Sequence, residues 1–411
     1  MFRSTNSFRS ILATVAIMAI APISVLGQIT SPSAAHDTSK KTSIKKDTGY
    51  TLQTLSMTPI YGYEMPKEDN ASIDSARQFK GSRPLPDSCY FTGERHLRNV
   101  QQLTFQGENA EAYLSPDDKY VSFQAHGTKP GHCDQIFRMS LDGKSVRRIS
   151  QGVGRTTCSY ILPSGDKVLY ASTQGPSGLC PIEPDMSKGY VWAIYGSYDI
   201  YVADTNGNIL SRLTANDSDY DAEATISPKG DKIVFTSTRN GDIDLYSMNL
   251  DGSDVKQLTH EEGYDGGAFY SLDGREIVYR ASRPKGEELK EYRELLKQHL
   301  VKPHQLEIFV MNADGSNKRQ VTHLNGASFA PFFHPDGKHI IFSSNYLDPK
   351  GREFNLFMIN KDGSGLEQIT HGGAFNSFPM FTRDGKKLVF CSNRNGSHPH
   401  NTNIFVADWI E

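Results

Sequence analysis

The chain has 411 residues, a formal net charge of −3 and 37% hydrophobic residues. A near-neutral chain without a basic stripe excludes nucleic acid as a natural partner. Its 5 cysteines are an odd number, so at least one thiol stays unpaired even in an oxidising compartment.

Residues 1–27 read as a secretory signal peptide: Arg3 and Arg9 supply positive charge, Ile11–Leu26 is apolar, and Val25-Leu26-Gly27 suits cleavage before Gln28. The apolar run is short for a membrane span and Pro22 interrupts it. No cysteine stands directly after the cleavage region, so the usual lipid-attachment site is absent and an exported chain, periplasmic or extracellular with no membrane span after processing, is expected. Residues 28–95 form a tether and N-terminal extension. The first part is rich in Ser, Thr, Lys and Asp, and the second, with Tyr61, Tyr63, Tyr90 and Phe91, is expected to lie against the domain that follows.

From residue 96 the sequence repeats. A strand-like tag recurs at Val100–Thr104 (VQQLT), Val146–Ser150 (VRRIS), Leu210–Thr214 (LSRLT), Val255–Thr259 (VKQLT), Lys318–Thr322 (KRQVT) and Leu366–Thr370 (LEQIT). A tight turn recurs around Pro116, Pro163, Pro228, Leu272, Pro335 and Arg383, as in SPDD, SPKG and HPDG. Each turn separates an inner strand A from an apolar strand B, such as Lys232–Thr236 or Lys387–Cys391, and a strand C follows, such as IYVAD or IFVMN. Asp-Gly or Asn-Gly pairs then lead into the tag, strand D, in five units. The sixth unit ends after Ile404–Asp408 without its tag, while Val100–Thr104 stands alone ahead of the first. A linear stack has no use for that arrangement, whereas a ring closes with it. The reading is all-β: a six-bladed β-propeller over 96–411, closed by an N-terminal strand and carrying one helical insertion in blade 4.

These turns and tags resemble the exported TolB-like propellers, with their SPDG and QLT signatures. The resemblance implies the fold over 96–411 and leaves the task open, because such a ring serves unrelated functions. TolB pairs its ring with a preceding α/β domain, which residues 28–95 are too few to hold.

In an antiparallel meander the A–B and C–D turns share one face, and the B–C connections lie on the other. The former are uniformly tight. The latter vary, with long insertions at Thr173–Ser197 in blade 2 and Ser282–Gln305 in blade 4. Irregular loops on a rigid scaffold are where binding sits. Within the blade-4 insertion, Leu289, Tyr292, Leu296 and Leu300 are at helical spacing, which predicts an amphipathic helix over Glu287–Leu300, either a rim stabiliser or a lid. The blade-2 loop carries Tyr190, Trp192 and Tyr195.

Six polar residues begin the inner strands: Asn109, Thr156, Asp221, Asp265, Ser328 and Asn376. Two positions later come Glu111, Cys158, Glu223, Gly267, Ala330 and Phe378. The six polar residues with Glu111 and Glu223 are the candidate ligand-binding ring at the channel mouth, with a water-filled channel as the alternative. Asp217, Asp219, Asp221 and Glu223 alternate in DSDYDAE, a density of hard oxygen ligands that suits Ca²⁺, although a solvated acidic loop has the same composition. His260, His323 and His371 follow the tag in three blades and should diverge, being on outer strands roughly 14 Å from the channel. His398 and His400 with His126 and His132 are neighbours across the ring closure. Cys133, Cys158 and Cys180 map to one face of blades 1 and 2, so a bridge among them is expected. There is no G-x-S-x-G elbow, P-loop or dinucleotide fingerprint.

The expected function is a non-enzymatic binding or scaffold propeller that engages an envelope protein, peptide or glycan through the B–C loop face and requires no cofactor. The alternative is a metal-dependent polysaccharide lyase or hydrolase, since some TolB-like propellers resemble oligogalacturonate lyases with a metal held by histidines at the channel mouth. None of the six ring positions here is a histidine.

Overall fold

The structure, a computed structural model, describes residues 81–411 apart from 127–132, 176–177, 188, 217, 350, 374 and 399–400. The signal peptide, most of the N-terminal extension, Asp217, His132 and His400 lie outside the described residues.

Six antiparallel sheets form the blades of a propeller. Blades 1 to 5 run A-B-C-D in sequence order; blade 3, for example, is Asp221–Ile226, Lys232–Ser237, Asp244–Asn249 and Lys256–Gln257. Blade 6 takes strands A to C from Asn376–Phe381, Lys387–Ser392 and Asn403–Trp409, and its strand D is Leu97–Gln102 from the front of the chain. Arg83–Pro84 adds a short fifth strand outside it. The closing strand begins three residues before the VQQLT tag, and Leu103 continues the pairing by donating its N–H to the Ile404 carbonyl at 2.8 Å.

The hydroxyl that ends the repeated tag, Ser in blade 1 and Thr in the others, has one job in every blade. Strand D leaves the ladder early, so the second residue of strand C needs another acceptor for its N–H. The last tag residue accepts it through its hydroxyl: Ser150, Thr214, Thr259, Thr322, Thr370 and Thr104 receive the amides of Ile136, Ile200, Leu245, Ile308, Leu356 and Ile404 at 2.8–3.0 Å. Each hydroxyl then donates to the first side chain of strand C, as Thr259 does to Asp244 at 2.8 Å and Thr104 to Asn403 at 3.1 Å.

Every inner strand carries a bulge at the same position. The A–B register slips after the second residue in five blades and after the third in blade 1, whose strand begins one residue earlier. The residue at each slip is left-handed: Glu111, Cys158, Glu223, Gly267, Ala330 and Phe378 have φ between 50° and 60°. Only one of the six is glycine. Holding five Cβ-bearing residues there costs on the order of 1–2 kcal/mol each, a strain the surrounding sheet must absorb.

Two residues further on, bulky side chains close the axis. Tyr113 of blade 1 meets Phe269 of blade 4 with ring centroids 5.1 Å apart, and Phe269 meets Phe332 of blade 5 at 5.5 Å. Contact between blades 1 and 4 is contact across the ring, so a layer of aromatics divides the channel. The large hydrophobic cluster around it joins blades 1, 4, 5 and 6.

Helix α1 spans Glu287–Leu296, shorter than the expected Glu287–Leu300. The chain turns left-handed at His299 (φ 56°), and Leu300–Val301 becomes a strand paired with Trp192–Ala193. Strand pairing across two insertions thus competes successfully with the last helical turn. Tyr292 is the buried residue of the helix, and Leu289 and Leu296 pack beside it on the loop face.

Candidate functional site: a lidded loop face

The two insertions read separately in the sequence meet in space. The ladder between Trp192–Ala193 and Leu300–Val301 ties the blade-2 loop to the blade-4 insertion. The disulfide Cys133–Cys180 ties that same loop to blade 1, which settles which of the three cysteines pair. Cys158 is a free, buried thiol, as is Cys391.

Trp192 acts as the stopper. Its ring lies edge-on to Tyr264 of blade 4 at 6.2 Å and to Phe329 of blade 5 at 6.4 Å, and the Arg280 guanidinium sits over it at 5.1 Å. Between Trp192 and the aromatic layer lies a buried polar cluster. Glu223 accepts hydrogen bonds from Thr236 Oγ1 at 2.7 Å, Tyr264 OH at 3.0 Å and the Gly267 amide at 3.0 Å, and forms an ion pair with Arg280. Glu111 takes a hydrogen bond from Cys158. Burial, reinforced by the Glu223 charge and opposed by Cys158 and Arg280, pushes the Glu111 carboxyl up to about 7. Burial and the neighbouring carboxylates also push the Cys158 thiol well above its ordinary range.

The first-position ring has a different environment. Asn109, Thr156, Asp221, Asp265, Ser328 and Asn376 are all buried, and each is paired within the fold. Thr156 Oγ1 donates to the Asp134 carbonyl at 2.9 Å, Asn109 Nδ2 to the Thr402 carbonyl at 3.0 Å, and Ser328 shares a hydrogen bond with Ser344 at 3.0 Å. Three members are met by an arginine eighteen residues on: Asp221 by Arg239 at 2.9 Å, Asp265 by Arg283 at 2.7 Å and Asn376 by Arg394 at 3.1 Å. Burial still outweighs Arg283 and pushes Asp265 up to about 8. The recurring spacing of eighteen was the signal that could have located these arginines in the sequence. Arg280, outside that spacing, had none.

Of the carboxylates expected to share Ca²⁺, Asp217 lies outside the described residues and the other three do not converge. Asp221 faces Arg239, Glu223 faces Arg280, and Asp219 accepts from Asn216 Nδ2 in the loop. The bulge at Glu223 turns it away from the face it would share with Asp221 in a regular strand. His126 pairs with Asp134 at 3.1 Å.

The two faces differ in the room they offer. On the turn face, a funnel lined by Leu114, Tyr160, Phe332 and Met380 has about 60 Å³ of open space. On the loop face, a cleft of about 670 Å³ runs between the blade-2 loop and helix α1, lined by Tyr190, Tyr195, Glu291, Leu295, His299 and Lys302. Beside it the blade-2 loop leaves Ile182 90%, Leu179 71% and Tyr190 52% exposed, and Leu347 of the blade-5 loop is 59% exposed. Arg352 lies over the Tyr190 ring at 5.4 Å and brings the two loops together. The sequence reading placed function on this face but missed that its loops join into one surface.

Comparison with known proteins gives sequence relatives of part of the chain and structures similar to it. Atu1656 of Agrobacterium fabrum, an uncharacterized protein, is 26% identical over 57% of this chain, which spans 65% of that relative's length. A structure named as a TolB from Agrobacterium tumefaciens is 20% identical, with a TM-score of 0.49, over 75% of this chain and 92% of that one. The TolB structure from Acinetobacter baumannii is 18% identical, with a TM-score of 0.45, over 69% of this chain and 61% of that one. The family model described as the TolB beta propeller domain matches residues 181–299 and 300–407, more than half of the sequence, and the chain belongs to that family.

Proposed function

We propose that this propeller is an exported binding module that engages a protein or peptide through its B–C loop face, with the cleft between the blade-2 loop and α1 as the seat. The observation that carries the reading is the apolar exposure of these loops: Ile182 and Tyr190 line the cleft, and Leu179 of the blade-2 loop and Leu347 of the blade-5 loop are exposed as well. Elsewhere, exposed hydrophobics such as Leu272 and Ile410 occur singly, and Ile209–Leu210 form one adjacent pair on an outer strand. Glu291 and Lys302 at the cleft supply polar groups that would fix orientation. The buried ring from Asn109 to Asn376, with Glu111 and Glu223, would hold the loops in place from beneath. Export fits the Cys133–Cys180 bridge, which an oxidising compartment sustains. Among the described residues no helix is long and apolar enough to cross a membrane.

The test is affinity capture from host envelope extract with the propeller as bait, beside an Ile182→Glu/Tyr190→Glu variant confirmed as folded. Specific capture by the wild type that the variant loses is the expected result. Capture unchanged by the variant would move the binding surface off this loop, and absence of specific capture would favour a small-molecule ligand.

A further inference from the structure

In blades 1, 4 and 6 the A–B turn is fastened by the same side-chain contact, and blade 5 puts an imidazole in its place. In those three the residue before the turn proline, or its equivalent, carries a hydroxyl that donates to the turn aspartate: Ser115 to Asp117 at 2.6 Å, Ser271 to Asp273 at 2.7 Å and Thr382 to Asp384 at 2.7 Å. In blade 5 that place is taken by His334, and a second imidazole, His339, opens strand B. The two rings flank one carboxylate. His334 Nδ1 is 3.2 Å from Asp336 Oδ1, and His339 Nδ1 is 2.5 Å from Asp336 Oδ2.

We propose that His334, Asp336 and His339 form a binding site for a divalent transition ion of the zinc type. Their ligand atoms lie within 4.8 Å of one another, and among the described residues this is the group that meets that criterion. Ligands about 2.0–2.2 Å from a common zinc stand a little over 3 Å apart, so modest side-chain rotations would complete the set. Two imidazoles and one carboxylate select Zn²⁺, Ni²⁺ or Cu²⁺ over Ca²⁺ and Mg²⁺, which prefer oxygen alone. His334 is already held: it is 8% exposed, edge-on to the Phe381 ring at 4.5 Å and tilted against Trp409 at 6.2 Å. His339 and Asp336 are partly open to solvent, which provides the entry path and leaves a coordination position for water or a partner's ligand. The site is on the turn face, away from the proposed protein-binding cleft, and does not depend on it.

The experiment uses the full-length chain stripped with chelator and titrated with Zn²⁺ at pH 7.5 by calorimetry. One ion per chain is expected, with affinity falling at least tenfold in His339→Ala and Asp336→Asn. His334→Ser supplies the turn hydroxyl found in blades 1, 4 and 6, so it should fold normally and also lose the ion. Cu²⁺ should quench the fluorescence of Trp409, beside His334, and the quench should disappear in Trp409→Phe but persist in Trp192→Phe. Failure of the stripped wild type to take up Zn²⁺, or uptake unchanged in His334→Ser and His339→Ala, would overturn the assignment.

Discussion

Removal of the Glu94 carboxylate should destabilise the whole ring from a residue outside the repeats. Arg394 in blade 6 is fully buried; its Nη1 donates to Glu94 Oε2 at 3.0 Å and its Nη2 to Glu94 Oε1 at 2.8 Å, with Asn376 Oδ1 a further acceptor at 3.1 Å. Glu94→Ala strands a guanidinium in the interior with only neutral acceptors. Breaking a buried pair from one side costs about 3–5 kcal/mol. Unfolding entropy of about 2.1 cal/mol/K per residue, over a ring of roughly 330 residues, is about 0.7 kcal/mol/K, so Tm should fall by roughly 4–7 °C. Replacing both partners, as in Glu94→Leu/Arg394→Met, removes the stranded charge and should recover most of that loss. Differential scanning calorimetry of the two single variants and the double variant measures both quantities. A fall below about 1 °C for Glu94→Ala, or a double variant as unstable as the sum of the singles, would refute the reasoning.

Other consequences can be checked independently. Glu111 has its folded pKa raised from 4.5 to about 7, so between those values the native state keeps a proton that the unfolded chain has released, and its contribution to stability declines as pH rises through that window. Glu111→Gln should therefore gain on the wild type by up to about 3 kcal/mol at pH 8 relative to pH 5, read from urea midpoints; an equal difference at both pH values contradicts the burial argument. Trp192→Ala should admit a maleimide to Cys158, which is shielded in the wild type; Cys89→Ser in both backgrounds removes the partly exposed thiol, and unchanged labelling would show that Trp192 is not the stopper. Cys133→Ser/Cys180→Ser opens a loop of 47 residues and should lose at most about 4 kcal/mol, with protease nicking appearing first in the blade-2 loop; nicking elsewhere would mean that the bridge braces the blades instead. Thr322→Val removes the acceptor for the Ile308 amide and should cost about 1–3 kcal/mol by denaturant unfolding, whereas Ser at that position should be nearly neutral.

The ring was legible because its signals are local and repeated. Turn residues at fixed spacing and a hydroxyl ending each tag announce strands whose chemistry is the same in six copies, and the displaced first tag announced closure. The candidate site was legible only as a face. That Trp192 would cross to Tyr264 and Phe329, and that Leu300 would leave a helix to pair with Ala193, depends on two loops finding each other over a hundred residues of intervening sequence, and no periodicity records it. Ring residues such as Asp221 and Asp265 were located correctly along their strands, but polarity alone does not distinguish a channel lining from a buried acid with its own arginine. The bulge at Glu223 shows the same limit from the backbone side: an alternating acidic run implies a shared face only while the strand is regular, and here it is not.

Closure by the front strand also governs the order of events during synthesis. Thr104 and Asn403, which join the two ends of blade 6, are 299 residues apart, so the segment made first in that sheet waits for nearly the whole chain before it finds its neighbour. Contacts of such long sequence separation are slow to form. Until they form, the outer edge of blade 6 stands open with unpaired amides and carbonyls, a template for strands of other molecules. The vulnerable species is therefore a nearly complete ring lacking one strand, and a chaperone or an early partner that masks that single edge would protect it better than one that stabilises any finished blade.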